Sequence, residues 1–135
     1  MSWDIFVQHL PSDAESVDDI PDDYSPPPIG TRETVIRQIR EVFPGADFTD
    51  PSWGLIDEPG FSIEISLSRE ELDSFALHVR GNDAAAGAVA AILRATGLRG
   101  LDSSTGEIFT EKSGVESLRQ WRGYRDSGVR DKDGT

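Results

Sequence analysis

Two alternating runs in the middle of the chain limit what it can fold into. Phe61, Ile63, Ile65 and Leu67 alternate with Ser62, Glu64, Ser66 and Ser68. After a short polar link, Phe75, Leu77 and Val79 alternate with Ala76, His78 and Arg80. A period of two reads as half-buried strands, and the short link between them reads as a hairpin. Strands with one apolar face need a covering layer on that face only. The helical stretches on either side supply that layer, so the face carrying Glu64, His78 and Arg80 is expected to stay polar.

The rest of the chain fits around this pair. Residues 2–10 read as a first strand, with Trp3, Ile5 and Val7 on one face and Asp4, Phe6 and Gln8 on the other. An aromatic on each face implies a central strand with apolar material on both sides, and Pro11 ends it. Residues 11–30 form a Pro-rich acidic link holding Asp13, Glu15, Asp18, Asp19, Asp22 and Asp23, with no basic residue before Arg32. Loops of this length inside a domain are uncommon and often functional or disordered. Val17, Ile20, Tyr24 and Ile29 are its candidate anchors. A helix is expected over 31–43, capped by Thr31, striped by Val35, Ile36, Ile39, Val42 and Phe43, and stopped by Pro44-Gly45. Residues 48–54 read as turn chemistry leading into a short strand at 53–56, and 57–60 as a turn. Trp3 and Trp53 are assigned to the core. A second helix over 82–96 has Asn82 or Asp83 as its cap and Gly97 as its stop. A fifth strand is expected at 98–101 and a short helix at 115–124.

The order β-α-β-β-β-α-β predicts an α+β two-layer sandwich. A mainly antiparallel sheet of about five strands would carry two helices on one face and a short C-terminal helix. The pattern resembles a ferredoxin-like βαββαβ order with one extra strand. Residues 1–125 are expected to form one domain and 126–135 a disordered tail.

Composition narrows function mainly by exclusion. The 135 residues carry a formal net charge of −12. That charge repels nucleic acid and anionic membrane and favours a basic protein, a polyamine or a metal ion. With no cysteine there is no disulfide, thiolate metal site or cysteine nucleophile. The N-terminal residues lack a signal-peptide pattern, and no run approaches the length of a membrane span, so the expected location is cytoplasmic. No phosphate-binding glycine loop, zinc-helix motif, calcium loop or nucleophile elbow occurs, so no cofactor is expected.

Three constellations remain. Glu64 lies within cross-strand reach of His78 or Arg80, and Asp4 and Gln8 would join them if the first strand lies alongside. A carboxylate beside a histidine can exchange protons, and an arginine nearby can hold an anion. Asp47, Asp50, Asp57 and Glu58 offer oxygens for a hard cation, without the spacing of a calcium loop. Trp121 and Tyr124, interspersed with Arg119, Arg122 and Arg125, are expected to fold back over the outer face and cover Phe6.

The opening Ser-Trp-Asp-Ile-Phe-Val-Gln, the link Asp-Ile-Pro-Asp-Asp and the turn Asp-Pro-Ser-Trp-Gly resemble a group of small, acidic, uncharacterised bacterial proteins over about residues 1–110. The resemblance implies a bacterial cytosolic protein and carries over no activity or site residue. In general character, rather than by motif, the chain is also similar to the immunity proteins of bacterial toxin systems. The leading expectation is therefore a non-catalytic module for a basic protein partner, with an immunity protein as its most concrete form. Asp18, Asp19, Asp22, Asp23 and Tyr24 would be its binding residues. The alternative is a small enzyme or ligand-binding domain using Glu64, His78 and Arg80 on the open sheet face.

Overall fold

Each alternating run becomes a strand whose apolar residues all turn to one side. The computed structural model describes residues 2–133. Its elements in chain order are β1 (Trp3–Gln8), a 3-10 turn (Val17–Asp19), β2 (Gly30–Thr31), α1 (Arg32–Val42), β3 (Asp47–Asp50), β4 (Trp53–Glu58), β5 (Phe61–Ser66), β6 (Glu71–Leu72), β7 (Ser74–Gly81), α2 (Ala84–Thr96), β8 (Arg99–Asp102) and α3 (Glu111–Asp133). Six strands form one sheet in the order β3-β4-β5-β7-β1-β8. Every neighbouring pair in it is antiparallel. β2 and β6 form a separate short pair.

The α+β class is as expected, with a larger sheet. β7 and β8 both run antiparallel to β1, which lies between them, so α2 makes a split β-α-β crossover. α1 carries the chain from β1 to the far edge, and β3-β4-β5-β7 returns as a meander. The added strand, β3, falls where the sequence reads as turn chemistry. Those turn signals are real: Asp47 accepts hydrogen bonds from Thr49, and Asp50 from Ser52. They bracket a four-residue strand whose register with β4 shifts between Asp47 and Asp50.

One side of the sheet carries the core. Trp3, Ile5 and Val7 of β1, Ile63 and Ile65 of β5, and Leu77 and Val79 of β7 are all 0% exposed. Burying each such side chain stabilises the fold by about 1.5–3 kcal/mol. α1 contributes Val35 and Ile39, and α2 contributes Ala85, Ala86, Val89, Ile92 and Leu93. The alanines keep α2 slim where it meets the sheet. Asn82 accepts the Ala84 N–H at the start of α2. Gly97 closes the helix at φ 69°, a left-handed conformation that glycine adopts without a steric penalty.

α3 corrects the expectation for the C-terminal stretch. It packs against α2 on the helical side of the sheet, where Leu118 and Trp121 join the core. Phe6, on the other side, remains 43% exposed. Two polar junctions explain the choice of side. Asp83, at the start of α2, accepts from Arg119 at 2.7 and 2.9 Å and from Arg122 at 2.6 Å. Asp102 of β8 is 3% exposed and accepts from Trp3 Nε1 at 3.1 Å, from the Ser104 N–H at 2.9 Å and from the Ser117 hydroxyl. That single carboxylate ties β1, β8 and α3 together. The helical backbone continues to Asp133, past Asp126 where a tail is expected, and no proline follows Pro59 to interrupt it. The side chains of Tyr124 and Arg125 lie outside the described residues.

Replacing Asp102 by Ala leaves the Trp3 indole N–H buried without an acceptor. Urea denaturation should show a loss of about 1–3 kcal/mol, the usual cost of a buried unpaired donor. Asp83 gives a pH signature. Hydrogen bonding from Arg119, ahead of that from Arg122, holds its carboxyl below the ordinary 3.8. The folded pKa is therefore the lower one. Asp83 stabilises the fold above the unfolded value, and the contribution fades as pH falls through the folded value. Asp83→Asn should be less stable than wild type near neutral pH, and the gap should close as pH falls below the ordinary carboxylate value of 3.8. Because the pair is exposed, added salt should also narrow the gap.

Candidate binding face

Strand parity assembles the outer face. With Phe75, Leu77 and Val79 turned inward, Ala76, His78 and Arg80 point out. His78 lies directly opposite Glu64 on β5 and opposite Asp4 on β1. Leu55 of β4 lies beyond Glu64. The next row across the sheet reads Trp53, Ser66, Ala76, Phe6 and Leu101.

The residues singled out from the sequence thus come together. Asp4 Oδ1 lies 2.9 Å from His78 Nδ1. Among the described residues, Asp4 is the one hydrogen-bond partner of His78, and Ser2 donates to the same carboxylate oxygen. Arg80 sits opposite Ser62 and reaches Glu64 diagonally at 3.5 Å. Gln8 stands apart from the group, opposite Ser74 and Arg99.

Trp53 is the residue that sequence reasoning missed. Assigned to the core, it is 45% exposed on the outer face, with Leu55 beside it at 37%. The reason lies at Gly54. A Cβ there would stand 2.2 Å from a Phe48 ring carbon, so the Phe48 ring occupies the inward space that Gly54 leaves. Ile56 shares the inward side, and Trp53 and Leu55 are turned out. The signal was the glycine between two large apolar residues, which marks a close approach from another side chain. The indole crosses the line of β5 and stacks on His78, with ring centroids 5.5 Å apart and 17° between planes.

The edge strand adds charge to this corner. Asp47 opposes Leu55 and Asp50 opposes Trp53, so four residues of β3 span three of β4. Directly opposed residues share a face, so this bulge turns both carboxylates toward the outer side. Hydrogen bonds from the hydroxyl and backbone N–H of Thr49 hold Asp47 below the usual carboxylate range, and Ser52 does the same for Asp50. Both therefore carry full charge at neutral pH. Among the described residues, no group of three or more ligating side chains converges as a metal site, and Asp47 and Asp50 are committed to their turns.

The acidic link borders the same face at the opposite edge. Leu101, outward on β8, packs on a small cluster of Leu10, Ala14 and Ile108, with Ile20 alongside. The Val17 N–H donates to the Gly106 carbonyl at 2.7 Å, and the Ile108 N–H to the Glu15 carbonyl at 2.9 Å. The Arg99 guanidinium donates to the carbonyls of Pro11 and Ala14. Of the expected binding residues, two hold the link in shape. Asp19 accepts the N–H groups of Glu15 and Ser16. Tyr24 is half-buried and donates its hydroxyl to the His9 carbonyl. Asp18, Asp22 and Asp23 are exposed and have no cationic partner among the described residues.

No family model matches the chain, and no curated protein or solved structure shows significant similarity to it. Among the described residues, no helix is long and apolar enough to cross a membrane.

The two tryptophans should part company on substitution. Trp3→Ala should cost about 3–5 kcal/mol, as for a fully buried aromatic. Trp53→Ala should cost about 1 kcal/mol, the worth of a surface aromatic contact. Chemical denaturation of both variants checks the assignment of Trp53 to the surface.

Proposed function

We propose that this domain is a non-catalytic binding module for a basic protein, most concretely an inhibitor of immunity type that acts by covering a cationic active site. The observation that carries the reading is the state of the acidic link: its carboxylates, Asp18, Asp22 and Asp23 among them, are exposed without cationic partners among the described residues, on a segment pinned to the body by Arg99 and by backbone bonds to residues 106–108. A charge of −12 attracts a cationic partner over distance, and a pinned segment loses little conformational freedom when it docks. In this reading Asp18, Asp22 and Asp23 steer and meet the partner. Asp19 and Tyr24 position the link that bears them.

The test begins with capture from the native host's lysate at low and high salt, using wild type and an Asp18→Asn/Asp22→Asn/Asp23→Asn variant as baits. A dominant basic protein retained by wild type and released by salt is then measured by stopped-flow mixing. The variant should associate about tenfold more slowly or worse, with a shallower salt dependence. Binding that ignores both salt and the three substitutions rejects the proposal.

A further inference from the structure

We infer that the basic partner docks on the open sheet face, where Trp53 serves as the platform for an arginine side chain. This inference rests on the basic-partner reading and adds the surface and the contact residue.

Exposed apolar groups are concentrated on this side. Among the described residues, the large hydrophobics left exposed are Phe6, Val17, Val42, Trp53 and Leu55, and three of the five share the outer face of the sheet. Neighbouring strands lie about 4.8 Å apart. Trp53 on β4 and Phe6 on β1 are three strand positions apart, so they stand about 14 Å from one another, with small Ser66 and Ala76 between them. A fold with a layer of helices on one side of its sheet leaves such a band open only where nothing else covers it.

Charge identifies the occupant. Trp53 has Asp50 opposite it on β3 and the neighbouring Leu55 has Asp47, whereas Glu64 on the other side of Leu55 is already paired with Arg80, so the charge at this corner comes from β3. A second copy of the chain would bring the same carboxylates and another net −12 to the interface, which disfavours self-association. A basic protein meets the opposite condition. Within it, arginine fits better than lysine. A guanidinium is planar, stacks on an indole and can engage a carboxylate with two parallel donors, whereas an ammonium is a strongly hydrated point charge. Stacking against His78 already orients the indole, so less side-chain freedom is lost when the guanidinium arrives.

The experiment titrates the full chain, at low salt, with a short arginine-only peptide and with a lysine-only peptide of equal length. It follows backbone amides and the Trp53 indole N–H by NMR. The arginine peptide should shift the Trp53 indole and the amides of β4 and β5, and should bind about two- to fivefold more tightly than the lysine peptide, as expected for a cation–π contact at an exposed site. Trp53→Ala should abolish that preference, and Trp53→Phe should keep part of it; a melting curve for each variant confirms that it is folded. Shifts confined to residues 15–24 overturn the docking surface while leaving the basic-partner reading in place. No shift with either peptide overturns both. Equal affinity for the two peptides overturns the arginine assignment. Concentration-dependent shifts of the same face without peptide would instead make a second copy the occupant and reject the inference.

Discussion

A slip of β1 by one residue against β7 would turn Trp3, Ile5 and Val7 to solvent and bury Asp4, Phe6 and Gln8. The register pairing Trp3 with Val79 and Asp4 with His78 is therefore the constraint on which everything else depends. Three strands meet at this point, because β7 is paired on its other side with β5 in the matching register. The same parity fills the helical side with side chains that are 0% exposed and sorts the titratable residues onto the outer side. Core and candidate face are two consequences of one ladder.

The two sides of the sheet are finished differently. On the helical side, polar groups that would otherwise weaken the core are fully used. Asp102 satisfies the Trp3 indole and holds Ser117 of α3, while Asp83 collects Arg119 and Arg122. Among the described residues, no buried side-chain polar atom lacks a partner. On the outer side, the acidic link reaches only as far as Leu101, leaving Phe6, Trp53 and Leu55 in water. Exposed aromatic and aliphatic side chains with carboxylates at both borders are the observations on which the proposed docking of a cationic protein rests.

How much of this was legible depended on whether the deciding contact was local. Glu64, His78 and Arg80 could be placed on one face from the alternation of their own strands, while the choice of His78 over Arg80 as the residue opposite Glu64 came from the register. The helix stops were legible for the same reason, since Pro44-Gly45 and Gly97 act on neighbouring backbone. Trp53 was not legible from β4 alone. Both parities of that strand offered a large apolar residue to the core, and the Phe48 ring filling the space at Gly54 decided between them. The strand at β3 was hidden because its bulge places two turn-forming aspartates within four residues. The apolar side of the C-terminal helix could have closed either face; Asp83 and Asp102 drew it to the helical one.

By itself, then, the sequence determined which side chains share a side of the long strands and of α1 and α2, where those two helices stop, and that the surface would be strongly anionic. These follow from backbone periodicity, local capping and summed charge, none of which needs a distant partner. Only the tertiary structure decided that Asp4 meets His78 across 74 residues of chain, that Trp53 lies on that histidine, and that the acidic link ends at the rim of the same face. Those contacts depend on strand order and on which side chain fills a given space, and such choices are made when whole layers pack, not residue by residue.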